Sequence, residues 1–135
     1  MSQAHKDILA QANAAVVRGD HEGFLAFCTD DTQWTFLGDR VLQGKEAVRQ
    51  WMAASYSAAP PGLRVHRMVA EGDFLTAVGE IVLTDANGKR TQHAYCDVWR
   101  LRGGKLAALH AFVVETDEDL GALAALPPGD AKPPG

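Results

Sequence analysis

The sequence predicts an α+β fold in which three N-terminal helices pack on one face of a curved, mainly antiparallel sheet. Before the helix-breaking sequence "PPG", most segments show the apolar spacing of helices. After "PPG", the segments are rich in residues that favour β-strands. Short turns at "EGD", "NG" and "GG" join these later segments, so consecutive strands are expected to pair as antiparallel neighbours. Helices first and strands later are typical of the α+β class.

The composition indicates one globular domain that does not bind nucleic acid. The chain has 135 residues, 47% hydrophobic and 22% charged, which suits a single core. We expect one domain over residues 1–126, followed by a flexible tail at 127–135 that is rich in Pro and Gly. The net charge of -4 argues against nucleic-acid binding, because neutralising the phosphate backbone needs clustered Lys and Arg.

No sequence feature points to a membrane or to secretion. No apolar run is long enough to cross a bilayer, and "MSQAHKDILA" lacks the hydrophobic core of a signal peptide. We therefore expect a cytoplasmic protein in which Cys28 and Cys96 stay reduced as small core residues. No cofactor is expected, and no metal site, because no two histidines have the spacing of a helical ligand pair.

Three helices are predicted from their caps and their apolar spacing. The first starts at Ser2 and ends at Gly19, with inward positions over residues 8–16. Asp20 caps a shorter second helix, which turns Cys28 inward and stops at "TDD". The third starts near Gly44, ends by "PPG" and buries Val48, Trp51 and Met52.

Five strands are predicted from alternation and turn signals. The first covers residues 32–37 and places Trp34 and Phe36 on one side. The others cover residues 63–70, 74–84, 90–101 and 106–116, each bounded by one of the short turns.

The segment "NGKRTQHAYCDVW" places His93, Tyr95, Asp97 and Trp99 at every second position of one strand. A two-residue Asn-Gly turn fixes the register of its hairpin. The predicted cross-strand pairs are Val82 with His93, Glu80 with Tyr95, and Val78 with Asp97. Burial is expected to raise the pKa of Asp97, and the two carboxylates side by side can supply an acid and a base near neutral pH.

The opposite face of this hairpin is predicted to be apolar. It carries Ala77, Ile81, Leu83, Ala94, Cys96 and Val98. We expect the helices to enclose a pocket over the polar face, while the apolar outer face packs against a second copy of the chain. The sequence therefore predicts a homodimer.

Two further turns decide which neighbouring residues join the polar face. An odd loop at "EGD" places Arg64, His66 and Met68 on the Glu80 surface, with His66 in reach of Glu80. At "RGGK" two alternatives stay open. A two-residue loop turns His110 into the pocket, whereas a bulged three-residue loop turns in Leu109, Ala111 and Val113.

Three stretches of the sequence are similar to the nuclear transport factor 2-like superfamily: "VVRGDHEGFLAFCTDDTQWTF", "LQGKEAVRQWM" and "YCDVWRLRGGKL". This superfamily includes ketosteroid isomerases, SnoaL-like polyketide cyclases and limonene epoxide hydrolase. The resemblance extends to about Thr116 and implies a cone-shaped roll, in which the helices and the curved sheet enclose a deep apolar cavity. It leaves the reaction open.

The resemblance also disfavours one reaction. The tyrosine of the isomerase oxyanion hole falls on Ala12, and the carboxylate base falls on Phe36. The buried acid of that pattern falls on Asp97, which implies that Asp97, Tyr95 and Glu80 point toward the cavity. Steroid isomerisation is therefore disfavoured, whereas a different acid–base reaction in the same cavity is not.

Together these features predict a small-molecule-binding domain that acts as an acid–base enzyme on a small apolar or cyclic substrate, by isomerisation, aldol-type cyclisation, or epoxide or ester hydrolysis. The expected catalytic residues are Asp97, Glu80, Tyr95, His66 and His93. The expected ligand contacts are Trp34, Phe36, Trp51, Met52, Val78, Val82, Trp99, Leu109, Ala111 and Val113. The alternative is a non-catalytic ligand-binding or dimeric interaction module, in which the polar groups satisfy one another.

Overall fold

The structure, a computed structural model, describes residues 2–118. The helices are α1 (Ser2–Val17), α2 (His21–Leu25) and α3 (Lys45–Ser55). The strands are β1 (Cys28–Phe36), β2 (Arg40–Gln43), β3 (Gly62–Glu71), β4 (Phe74–Thr84), β5 (Arg90–Arg102) and β6 (Lys105–Glu115). This arrangement confirms the α+β class. The predicted domain end at residue 126 and the predicted tail at 127–135 lie outside the described residues.

The strands form one curved sheet in the order β2-β1-β6-β5-β4-β3. All neighbours are antiparallel except β1 and β6, which run parallel. The sheet is therefore mainly antiparallel, as predicted. The parallel pair places the first strand beside the last one, so that β1 lies next to the centre of the sheet, and α3 packs against β1 and β2.

Gly19 and Asp20 separate the first two helices as the sequence predicted. Gly19 has φ 85°. Its N–H donates to the Val16 carbonyl at 3.0 Å, and the Asp20 N–H donates to the Ala15 carbonyl at 2.9 Å, which is the paired bond pattern of a glycine-ended helix. The Asp20 carboxylate then accepts from the Gly23 N–H at 2.9 Å and caps α2.

The first half of the sheet differs from the prediction in two ways. The second helix ends at Leu25, and Cys28 begins strand β1 instead of continuing the helix. Pairing with β6 explains the early start, because Cys28 lies opposite Leu106. Strand β2 was not predicted, since four residues are too few to show a clear alternation; it covers the edge that β1 would otherwise expose.

The register predicted for the β4–β5 hairpin is wrong by one residue. The last pair before the turn is Thr84 with Arg90, which leaves residues 85–89 in the loop. The Asp85 carboxylate accepts from the N–H groups of Asn87 at 2.8 Å and Lys89 at 2.9 Å, so this longer loop is favoured over a two-residue turn.

The corrected register separates residues that were expected to share a face. Tyr95 lies opposite Gly79, and Asp97 lies opposite Ala77. Because side chains alternate along a strand, Val78, Glu80 and Val82 lie on the other side of the sheet. We call the face with Tyr95 and Asp97 the inner face and the face with Glu80 the outer face.

Irregular pairing decides the orientation of β3. The turn to β4 has two residues between Glu71 and Phe74, not an odd number. A register shift between Val65 and Arg67 then places Arg64 opposite Glu80, whereas Met68 lies opposite Ala77. Met68 is therefore on the inner face, and its predicted position beside Glu80 is wrong.

A second irregularity decides the orientation of β6. The Gly103-Gly104 turn has two residues, since Arg102 pairs with Lys105. A register shift between Arg100 and Leu101 nevertheless places Leu109 opposite Trp99 on the inner face. His110 is exposed on the outer face. The bulged alternative therefore gave the correct face, with the extra residue at Ala107 of β6 rather than in the turn.

Candidate functional site

The inner face and the three helices enclose an apolar cavity. Its inner part, the cavity floor, has a volume of about 90 Å³. It is lined by Asn13, Val16, Phe24, Trp34, Phe36, Trp51, Met52, Tyr56, Leu63, Ile81, Tyr95, Asp97, Trp99, Leu109, Ala111 and Val113. An adjoining space of about 240 Å³, the cavity mouth, shares Phe36, Trp51, Tyr56, Ile81, Ala111 and Val113 with the floor. The mouth adds Leu37, Asp39, Leu83 and His93.

Asp97 is the only carboxylate among the described residues that line the floor. It lies on β5 between Ala77 of β4 and Ala111 of β6, both of them buried and small. Burial raises the pKa of Asp97 to about 7, because the apolar surroundings disfavour the charged carboxylate. Within residues 2–118 its carboxyl group makes no hydrogen bond.

Two phenol groups line the floor near Asp97. Burial raises the pKa of Tyr56 and of Tyr95, and the negative charge of Asp97 raises both pKa values further. Both side chains therefore stay protonated at neutral pH and can donate a hydrogen bond to a ligand.

Gly79 makes room for the ring of Tyr95. A β-carbon at position 79 would lie 2.8 Å from the Tyr95 phenol oxygen and 2.3 Å from the Arg64 carbonyl oxygen. Only a residue without a side chain allows this close approach. The strand opposite Tyr95 thus fixes where its phenol can lie.

All three tryptophans of the chain line the floor. The rings of Trp34 and Trp99 meet edge to face, with centroids 5.5 Å apart and planes at 87°. Trp51 packs against Trp34 at 6.1 Å and against Phe36 at 4.9 Å. The indole nitrogens of Trp34 and Trp99 are buried and have no hydrogen-bond partner among the described residues.

The predicted catalytic residues separate into three locations. Asp97 and Tyr95 line the floor, and His93 lines the mouth. Glu80 and His66 are instead near each other on the outer face, where their side chains are mostly buried and His66 Nε2 lies 3.6 Å from Glu80 Oε2. The predicted proximity of His66 and Glu80 is therefore confirmed, but the one-residue register shift removes both from the cavity.

The predicted ligand contacts mostly line the floor. Those that do are Trp34, Phe36, Trp51, Met52, Trp99, Leu109, Ala111 and Val113. Val78 and Val82 do not, because the corrected register turns them to the outer face with Glu80.

Several lining residues were not predicted. Ile81 and Leu63 are opposite each other on the inner face and were missed through the register error. Asn13 had a usable signal, since it lies between Leu9 and Val16 on the buried stripe of α1. Tyr56 follows the end of α3 and carries no such signal.

Residues 2–118 lack two other kinds of feature. No cluster of three or more His, Cys, Asp or Glu side chains there could hold a metal ion. No helix in that range is both long and apolar enough to span a membrane.

Known proteins resemble this chain in sequence and in fold. A family model described as a SnoaL-like domain matches residues 9–109. An NTF2-like protein of unknown function from Burkholderia pseudomallei superposes with a TM-score of 0.72 and 17% identity, over 82% of this chain and 91% of that one. No curated protein matches.

Two further solved structures are of enzymes. SalBIII, an epoxide hydrolase/cyclase-like enzyme in pyran ring formation of salinomycin, has a TM-score of 0.76 and 22% identity over 83% of this chain and 92% of its own. An LEH-like epoxide hydrolase of M. tuberculosis has a TM-score of 0.76 and 15% identity over 84% of each chain. At these identities the similarity establishes a shared fold.

Proposed function

The chain belongs to the SnoaL-like domain family, and from this premise we propose that it is a cofactor-independent enzyme that uses Asp97 to transfer a proton on a small, largely apolar molecule. One observation carries the proposal: the floor of an apolar cavity holds a single carboxyl group, with no hydrogen bond within the described residues and with a pKa of about 7. A group with that pKa is present as both acid and base at neutral pH, which suits general acid–base catalysis.

Opening of an epoxide is the reaction that we favour. Protonated Asp97 donates its proton to the ring oxygen as the carbon–oxygen bond breaks. Water, or a hydroxyl of the same substrate, adds to the carbon and returns one proton to the Asp97 carboxylate. The product is a diol or a cyclic ether, and the enzyme is unchanged. The fold shared with SalBIII and with an epoxide hydrolase supports this choice.

Tyr56 and Tyr95 are proposed to orient the substrate as neutral hydrogen-bond donors. Glu80 and His66 have no part in this mechanism, because they lie across the sheet from Asp97. A single carboxyl group must therefore serve as acid and then as base, which differs from the two-carboxylate arrangement predicted from the sequence.

Turnover of cyclohexene oxide tests the proposal. The wild type should form the diol, and Asp97→Asn should lower kcat by about 100-fold or more while ligand binding is retained. Asp39→Asn, which changes a carboxylate at the cavity mouth, should leave kcat nearly unchanged. Equal rates for Asp97→Asn and the wild type would refute a role for Asp97. A protein that binds epoxides, lactones and cyclic ketones but converts none would be a non-catalytic ligand-binding module.

We also propose that two copies pair through the outer face. Phe112 and Val114 of β6 lie on this face and are 50% and 63% exposed, which is unusual for large apolar side chains at the centre of a sheet. Exposed apolar side chains on a central strand suit a symmetric contact between two sheets. Cys28 and Cys96 are free cysteines, which fits the proposed cytoplasmic location.

A further inference from the structure

The carboxyl group of Asp97 has no cation beside it to balance the charge that it carries when ionised. Neither the floor nor the mouth of the cavity is lined by a Lys or Arg of the described residues. Burial raises the pKa of Asp97, and no positive charge among those residues offsets this effect. Near pH 7 about half of the molecules therefore hold a buried anion without a counterion, which is an unfavourable state.

The carboxyl group can be reached from the cavity. Asp97 lines the floor, and its side chain is only partly buried. Within residues 2–118 its oxygens make no hydrogen bond, and they are not among the fully buried polar atoms that lack a partner there. A ligand at the floor can therefore contact the carboxylate directly.

Aromatic side chains form much of the cavity wall around Asp97. Those that line the floor are Phe24, Trp34, Phe36, Trp51, Tyr56, Tyr95 and Trp99. Phe36, Trp51 and Tyr56 also line the mouth and are only partly buried, so part of their surface is open to a ligand. The face of an aromatic ring attracts a cation. The wall of the cavity and its carboxylate are therefore both compatible with a positively charged ligand.

We propose that the cavity binds small cyclic amines as ammonium ions, which pair with the ionised carboxylate of Asp97. The ammonium group supplies the missing counterion, and the carbon ring contacts the apolar wall. Folding has already removed the carboxylate from water, so most of the hydration lost on binding is that of the ammonium group. The inference goes beyond the proposed reaction, because a saturated amine contains no epoxide to open.

The affinity for an amine should depend on pH through Asp97. The titratable side chains of the described residues that line the floor and the mouth are Asp97, Tyr56, Tyr95, Asp39 and His93. The raised pKa values of Tyr56 and Tyr95 keep both phenols neutral. An alkylamine stays protonated up to a pH of about 10. Ionisation of Asp97 near pH 7 should therefore switch on amine binding as the pH rises.

Cyclohexylamine and cyclohexanol form a matched pair of probes for titration calorimetry, with the same ring and either NH₃⁺ or OH. In an apolar cavity without a counterion the alcohol binds more tightly, because a cation loses more hydration. With Asp97 ionised near pH 8, cyclohexylamine should bind more tightly by about tenfold. Near pH 5 the order should reverse. Equal or tighter binding of cyclohexanol near pH 8, or no saturable binding of cyclohexylamine, would overturn the inference.

The proton balance identifies the group that the amine contacts. Near pH 6 most Asp97 side chains carry a proton, because their pKa is about 7. Binding of cyclohexylamine as an ammonium ion should then release close to one proton per molecule, and far less near pH 8. Calorimetry in two buffers with different enthalpies of ionisation measures this number. Proton uptake, or no proton release near pH 6, would show that the ammonium group does not pair with Asp97.

Affinities of two variants complete the test. Asp97→Asn removes the anion and should abolish the preference for cyclohexylamine while cyclohexanol still binds. Asp39→Asn removes a carboxylate at the mouth and should preserve the preference. Loss of the preference in Asp39→Asn alone would place the cation at the mouth and overturn the inference. If Asp97→Asn fails to fold, the proton release of the wild type still decides the question.

The amine site and the proposed reaction can fail separately. Binding of cyclohexylamine with proton release, but no turnover of cyclohexene oxide, would refute the enzyme and leave this inference standing. Asp97-dependent turnover without any binding of cyclohexylamine would refute only the amine site.

Discussion

The raised pKa of Asp97 is explained by the residues beside it on the two neighbouring strands. Ala77 and Ala111 flank it on the neighbouring strands and offer no hydrogen-bonding group in their side chains. The carboxyl group therefore lies in an apolar environment that raises its pKa. Alternation along β5 was enough to predict that Asp97, Tyr95 and Trp99 share a face. Among the described residues no second carboxylate lines the floor. This was not predictable, because it depends on the register of the partner strand.

Replacing Asp97 should change how stability depends on pH. Its pKa rises from 3.8 to about 7 on folding. Between these two pH values the carboxyl group is protonated in the folded state and ionised in the unfolded state. This stabilisation is fully present below about pH 4 and is lost as the pH rises through 7, by roughly 4 kcal/mol in all. In urea denaturation, Asp97→Asn should match the wild type near pH 4 and exceed it in stability near pH 8. Stabilities of Asp97→Asn and the wild type that change in parallel with pH would contradict the assignment.

Gly79→Ala should destabilise the fold and move Tyr95. The new β-carbon meets the Arg64 carbonyl oxygen at 2.3 Å, and backbone cannot yield as a flexible side chain can. We expect a loss of about 1–3 kcal/mol in urea denaturation. Gly62→Ala is the control, because its β-carbon meets only Val82 at 3.6 Å. Equal stabilities for the two variants would show that the strand accommodates the methyl group.

At the scale of the elements, strand positions could be predicted well and strand registers could not. Turn residues and alternation placed β3 to β6 within one or two residues of their observed ends. Register depends on details that alternation does not contain: the Asp85 side chain in one loop and a shift near Val65 in β3. Because the observed register differs from the predicted one by a single residue, Glu80 lies on the outer face and not in the cavity.

We expect Asp85 to stabilise the conformation of the β4–β5 loop. Its carboxylate accepts from two backbone N–H groups, and its own N–H donates to the Lys89 carbonyl at 2.9 Å. Asp85→Ala should lower the free energy of unfolding by about 1 kcal/mol. In Asp39→Ala a surface aspartate loses only a 3.5 Å contact with Arg40, so a change below about 0.5 kcal/mol is expected. Similar values for both would indicate that the loop does not depend on Asp85.

The two faces of the sheet carry different groups of residues. The inner face holds the apolar cavity with Asp97 and Tyr95 at its floor, as the family resemblance had implied. The outer face carries the buried pair of His66 and Glu80 beside exposed apolar residues of β6. The sequence predicted that Glu80 and His66 share the cavity face with Asp97, which is wrong. Pairing of the outer face with a second copy stays a prediction.

Phe112→Glu should convert the proposed dimer to monomers, because it places a charge at the centre of the outer face. Size-exclusion chromatography with light scattering at micromolar concentration measures the mass. Val17→Glu changes an exposed apolar residue on helix α1 and should leave the dimer intact. A monomeric wild type would refute the pairing, and so would a dimer that survives Phe112→Glu.

The parallel contact between β1 and β6 sets the order in which the molecule can be completed. Leu106, the partner of Cys28, is translated long after it. Until then β1 has only the short β2 beside it, and one side of the tryptophan-lined cavity is missing. The native sheet must therefore form after β6 has been translated, and a prematurely terminated product that lacks β6 would present its apolar interior to chaperones and proteases.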